Sequence, residues 1–224
     1  MIDVIQERIK EINNEIPKHV KLVAISKFHP AEAIASAYEV GQRIFGESRA
    51  QELQQKQPAL PADIEWHFIG HLQPNKVKYI APYVSMIHAV DNLKLLTEID
   101  KQAKKHNRVI PCLLQLHVAQ EESKFGFTVD ACREFLSEGL WRTLTNVQIA
   151  GIMCMASNTD NTEQVRKEFH TAYEFYLEAK EKFFPNDPAF CERSWGMSHD
   201  YPLAIEEGCT MIRVGSKIFG ERAY

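Results

Sequence analysis

The sequence predicts an α/β fold, a single (β/α)8 TIM barrel over residues 1–224 with an extra helix at its N-terminus. Three observations carry that expectation. Eight short apolar runs of strand character recur along the chain, segments of helical period separate them, and Pro, Asp, Asn or Gly punctuates several of the boundaries. A length of 224 residues suits one barrel core, and 45% apolar with 25% charged residues is the composition of an ordinary globular domain. An open doubly wound sheet shares the same rhythm and is the main rival topology.

The chain opens on MIDVIQERIKEINNEI, in which Ile2, Ile5, Ile9, Ile12 and Ile16 fall on one helical face with Asp, Glu and Lys between them. This is neither a signal peptide nor a membrane span. The first strand is VKLVAIS (20–26), followed by PAEAIASAYEVG, a helix opened by Pro and closed by Gly. RIFGES (43–48), IEWHFIG (64–70) and SMIHAVD (85–91) are the next three strands. The helix NLKLLTEIDKQAKKH then ends on basic residues, which suit the negative end of its dipole. VIPCLLQLHV (109–118) and VQIAGIMCMA (147–156) are the fifth and sixth strands. The longest helix, TDNTEQVRKEFHTAYEFYLEAKEKFF, is stopped by PNDP (185–188). Its Phe169, Tyr173 and Tyr176 read as core contacts, and its surface near Tyr173 as a place for a partner. ERSWGMS (192–198), short and polar, is the weakest strand, and MIRVGSKIFG (211–220) is the eighth.

A formal charge of −4 without a Lys/Arg run leaves no electrostatic footprint for a polyanion, so nucleic acid is not an expected partner. The 5 cysteines, Cys112, Cys132, Cys154, Cys191 and Cys209, contain no C-x-x-C pair and point to a reducing, cytoplasmic setting. His29, His88, His117 and His199 lack metal-site spacing, so no metal is expected.

In such a barrel the chemistry belongs to the C-terminal ends of the strands. Reading those ends selects Lys27, the segment Gly46 to Ser48, His71, Asp91 and Asn92, His117, Met153 to Met155, Gly196 to Ser198, and Gly215 with Ser216. Period-two alternation puts Lys27 on the side of Val23 and Ile25. Two readings stand for it: a solvated surface lysine, or an amine of lowered pKa at an apolar barrel mouth, able to attack a carbonyl. Gly215 admits close backbone approach and Ser216 adds a hydroxyl. With Gly196, Met197 and Ser198 before a helix starting near Asp200, they suggest a phosphate site after strands seven and eight; each cluster alone also reads as an ordinary turn. Arg213 alternates with Met211 and Gly215 onto one face, either projecting inward or making a structural ion pair. His71 is a candidate ligand contact at its strand end, whereas His67 lies within the strand.

The motifs AISK (24–27), FGES (45–48), WHFIGHLQPNK (66–76), ESKFGF (122–127), SWGMSHD (194–200) and RVGSKIFG (213–220) occur in this order over nearly the whole chain. With them the sequence resembles the pyridoxal 5'-phosphate (PLP) homeostasis proteins of the YggS/PROSC type, relatives of the barrel domain of alanine racemase. The resemblance implies PLP held by Lys27 as an internal aldimine, its phosphate on Ser198 and the Gly215–Ser216 turn, and Arg213 near the pyridine nitrogen. Met197 and His71 complete the expected cofactor contacts. A guanidinium beside that nitrogen disfavours its protonation and weakens the ring as an electron sink. Two departures stand out: the family usually has Asn in place of Ser48, and Met in place of Trp195. The first puts in doubt a contact near the cofactor, and the second how tightly the ring pocket closes.

The resemblance implies a PLP carrier or regulator in vitamin B6 and amino-acid homeostasis, without established turnover. A chain ending at Tyr224 leaves no sequence for the β domain whose tyrosine serves racemases as the opposite-face base, so no catalytic residue is assigned. A weak amino-acid racemase with Lys27 as base is the alternative, and a phosphosugar-processing barrel with a transient imine on Lys27 a third. Expected partners are PLP and PLP-dependent client enzymes, with no membrane, and the chain is expected to be a monomer.

Overall fold

A computed structural model describes residues 2–121 and 125–220. The ESKFGF motif therefore falls partly outside the described residues, as does Tyr224. Eight parallel strands close in chain order: β1 Lys21–Ile25, β2 Ile44–Glu47, β3 Glu65–Phe68, β4 Met86–Val90, β5 Ile110–His117, β6 Val147–Met155, β7 Glu192–Ser194 and β8 Met211–Val214. The first strand pairs with the last, Lys21 opposite Met211 through Ala24 opposite Val214, and this closure excludes the open doubly wound sheet.

The strands are buried on both faces, as a parallel sheet wrapped in helices requires. On β1, Val23 and Ile25 join Met86, Ala89, Leu113 and Met211 in the barrel interior, while Leu22 and Ala24 pack outward. Burying each of the larger interior side chains contributes about 1.5–3 kcal/mol. The outer shell is much larger. It is formed by helices α1 Ile2–Glu15, α2 Ala31–Glu39, α3 Ala50–Lys56, α4 Val77–Ile80, α5 Leu93–Lys105, α6 Val129–Glu138, α7 Thr162–Lys182, α8 Tyr201–Glu206 and α9 Ser216–Phe219.

The N-terminal helix is as expected: Ile5, Ile9, Ile12 and Ile16 are all buried. It packs on α2 and α9, on either side of the β8–β1 seam, and Arg8 donates to the Ile218 carbonyl at 3.1 Å. Side-chain oxygens cap three helices by accepting backbone N–H groups: Asn92 on α5, Thr128 on α6 and Asn161 on α7. Along α7, Phe169 and Tyr176 are buried. Tyr173 is half-buried, packed under Gly208 with Arg193 over its ring at 5.9 Å.

Two strand expectations are corrected. The seventh strand covers only Glu192–Ser194 of 192–198; the chain then turns at Gly196, whose φ of 91° and close approach to Ala204 exclude a side chain. The eighth ends at Val214, and Ser216–Phe219, expected as strand, is a helical turn. Gly151 (φ 153°) sets the β6–β7 spacing, since an added Cβ would lie 1.9 Å from the Glu192 carbonyl oxygen.

Candidate functional site

The seven residues selected from the sequence, Lys27, His71, Met197, Ser198, Arg213, Gly215 and Ser216, line one cavity of about 420 Å³ at the C-terminal mouth of the barrel. Lys27 follows the buried end of β1 and is half-buried. Across the seam, the β8 end comes so near that a Cβ on Gly215 would lie 3.3 Å from Ile25. Gly215 donates its N–H to Ser198 Oγ at 3.1 Å, which ties the loop after β7 to the turn after β8. Met197 is fixed by donating its N–H to Asp200 Oδ1. Lys27 and the turn of Ser198, Gly215 and Ser216 thus line the same cavity, and Ile25, Ile69 and Met155 add apolar surface to its lining.

Arg213 is buried at the cavity floor. Its Nη1 donates to the Ser194 carbonyl and hydroxyl, both at 2.7 Å, and Nη2 to the Cys154 carbonyl at 2.8 Å. These acceptors are neutral oxygens, and among the described residues Arg213 makes no ion pair. Burial lowers the guanidinium from its ordinary value, but arginine remains charged in proteins.

Behind Arg213 runs a polar chain. Ser194 Oγ meets His88 Nδ1 at 3.0 Å, and His88 Nε2 meets His67 Nδ1 at 2.9 Å. All three side chains are buried. Desolvation pushes His67 down to about 3 and His88 well below its ordinary value, the latter helped by the neighbouring His67 and Arg213. Both rings are therefore neutral at physiological pH. No local spacing links these residues, but His67 and His88 sit at inward strand positions where an apolar side chain would otherwise stand, and that was the readable signal.

His71 stands at the rim, 38% exposed in its side chain, with Nδ1 3.7 Å from Asp91 Oδ2. Its ring stacks on Phe125 with centroids 3.9 Å apart. From β5 the cavity receives Gln115 rather than His117, which was read as that strand's functional end. Alternation from interior Leu113 puts Gln115 inward, and its Nε2 donates to the Phe125 carbonyl at 3.0 Å. Asn92 caps α5 instead of entering the site. Ser48 lines the cavity. Trp195 does not close the pocket: it alternates outward from Ser194 and is fully buried in the shell between barrel and helices.

The FGES segment does unexpected work. Glu47 is fully buried and accepts from Ser26 Oγ at 2.7 Å and Lys56 Nζ at 2.8 Å. Burial pushes its carboxyl up. The thiols of Cys132 and Cys209 are pushed up to about 12 by burial, and Cys112 and Cys154 are raised as well, which leaves none of the four suited to nucleophilic chemistry. Among the described residues no group of acidic, His or Cys side chains forms a metal site, and no helix is long and apolar enough to cross a membrane.

The chain is thus a closed (β/α)8 barrel in which a strand-end lysine and the turns after β7 and β8 line one cavity. The model of the alanine racemase N-terminal domain family matches residues 2–223. The pyridoxal phosphate homeostasis protein of Aquifex aeolicus is 40% identical over 205 residues, 91% of this chain and 88% of that protein. Its counterpart in Helicobacter pylori is 34% identical, covering 98% and 97%. Among solved structures, PipY of Synechococcus elongatus without PLP superposes with a TM-score of 0.90 at 36% identity, covering 96% of this chain and 100% of PipY, and PipY with PLP bound gives 0.87. The chain belongs to the alanine racemase N-terminal domain family and, within it, to the pyridoxal phosphate homeostasis proteins.

Proposed function

We propose that this chain binds PLP, with Lys27 holding it as a Schiff base and the turn of Ser198, Gly215 and Ser216 holding its phosphate, as a carrier or regulator in vitamin B6 and amino-acid homeostasis. The observation that carries this reading is that Lys27 and the cradle line the same cavity although they come from opposite ends of the chain. The residues fit the group. Gly215 keeps β8 close to β1 where a Cβ would crowd Ile25. Ser198 Oγ, already accepting from Gly215, retains an O–H to donate to a phosphate oxygen. Ile25, Ile69 and Met155 offer apolar contact to a ring. A relative, PipY, has been solved with PLP bound.

When bound, PLP supplies an aldehyde that condenses with an amine, with release of water, and a ring that can withdraw electrons. Lys27 contributes the amine. Arg213, held by three neutral acceptors, would offer its remaining N–H groups to the pyridine nitrogen and disfavour protonation there. That restraint on electron withdrawal supports holding the cofactor rather than turning substrate over. The five unpaired cysteines support a reducing, cytoplasmic setting, and we extend the reading to a monomer that hands PLP to client enzymes.

The test is an absorption spectrum of the protein with PLP. A visible band is expected that disappears in Lys27→Ala; a band retained in that variant refutes the Schiff base on Lys27. Incubation with single L-amino acids separates carrier from enzyme, because D-isomer formed at about 1 per second, an ordinary enzyme rate, would contradict the carrier reading.

A further inference from the structure

We infer that Glu52 and Lys56 are positioning residues for Lys27: they hold the strained turn after β1 in the conformation that delivers the lysine to the cavity. This rests on the reading of Lys27 as the residue that holds the cofactor.

The residue after Lys27 is Phe28, with φ of 68°. Left-handed backbone is ordinary for glycine and unfavourable for a bulky side chain, so something must hold it there. The Phe28 N–H donates to Glu52 Oε1 at 2.6 Å. Lys56 Nζ donates to the same oxygen at 2.6 Å, to Glu47 Oε1 at 2.8 Å and to the Ser26 carbonyl at 2.9 Å. Ser26 Oγ closes the circuit on Glu47. The residues on both sides of Lys27 are thus fastened to β2 and α3, and Arg49 adds its guanidinium over the Phe28 ring at 4.6 Å.

Solvent scarcely reaches this cluster: the side chains of Lys56, Glu47 and Glu52 are 10%, 0% and 19% exposed. Withdrawing three charges from water is a poor way to stabilise a barrel, since apolar packing serves as well or better. The cluster makes sense as a clamp on the one segment whose backbone is strained and whose middle residue faces the cavity.

Two ligands separate positioning from simple stability. PLP reads imine formation through its visible band, in stopped flow. Pyridoxine 5'-phosphate has an alcohol in place of the aldehyde and reads the phosphate cradle alone, by calorimetry. Glu52→Ala is expected to slow formation of the PLP band at least about tenfold, as misplacement of a reacting group does, while pyridoxine 5'-phosphate binds within about threefold of wild type. Glu52→Gln, which keeps an acceptor oxygen for the Phe28 N–H, is expected to stay within about threefold on both. Phe28→Gly added to Glu52→Ala is expected to recover most of the rate, because glycine holds a positive φ without the clamp. Lys56→Met is the second variant and is expected to follow Glu52→Ala.

Wild-type rates in both Glu52→Ala and Lys56→Met would overturn the proposal. So would equal loss of affinity for the two ligands, or a double variant no faster than Glu52→Ala. A wild-type protein without a Lys27-dependent band would instead overturn the cofactor reading, and the positioning role with it.

Discussion

Replacing His67 by Gln tests the buried end of the polar chain that leads to Arg213. In the folded protein desolvation lowers His67 from 6.5 to about 3, and His88 shifts the same way. Because the folded pKa is depressed, the unfolded chain binds protons first as pH falls. The stability contribution is therefore complete above about pH 6.5 and is lost progressively towards the folded value. At pH 5 the unfolded chain is protonated at this residue and the folded one is not, a penalty of about 2 kcal/mol from His67 alone, or 1.5 pH units at 1.36 kcal/mol each. Gln removes the titration while keeping an oxygen for His88 Nε2. Urea unfolding at pH 8 and pH 5 is the assay. With a slope of about 2 kcal/mol per molar urea, the wild-type midpoint should fall about 1 M further than that of His67→Gln over this interval. Carboxylates titrate in both proteins and cancel in the comparison. Equal falls would refute the neutral, desolvated state of His67.

Three further outcomes follow from packing and from the cradle. Gly151→Ala places a methyl 1.9 Å from the Glu192 carbonyl oxygen at φ 153°, so it should cost at least about 3 kcal/mol and lower the melting temperature by about 6 °C or more. Asn92→Ala removes the cap that accepts from Leu95 N at 2.8 Å and should cost about 1 kcal/mol, read as a 2–4 °C lower melting temperature, with PLP binding unchanged. Ser198→Ala should weaken pyridoxine 5'-phosphate binding about tenfold by calorimetry, the loss of one hydrogen bond to a charged group.

Period-two and helical patterns made most of the fold legible, because a parallel barrel buries both faces of its strands and one face of its helices. Ile5, Ile9, Ile12 and Ile16 illustrate the second rule. These patterns do not predict the fold where backbone geometry overrides composition. The segment from Ser216 is as apolar as a strand, yet Gly215 redirects it into a helical turn, and the polar seventh run keeps only three residues extended. The strand-end rule reached the residues that line the cavity because topology alone brings those ends together. It missed Gln115, which stands two residues before its strand's end, and the His67–His88–Ser194 chain, whose members come from three strands. Trp195 was misread because the face of a three-residue strand depends on where the turn begins. The clamp on Phe28 was out of reach, since nothing in the composition marks a phenylalanine with positive φ.

The β8–β1 seam gives the site a place in time as well as in space. Lys27 is among the first barrel residues to leave the ribosome, whereas Ser198, Gly215 and Ser216 are among the last. A nascent chain, or any folding intermediate that has not yet docked β8 beside β1, presents the amine without the cradle. If the proposed site is right, tight capture of a phosphorylated ligand signals that the barrel has closed, and ligand added during refolding should favour only that final step. Packing on both α2 and α9, the helix α1 acts as a latch across the β8–β1 seam.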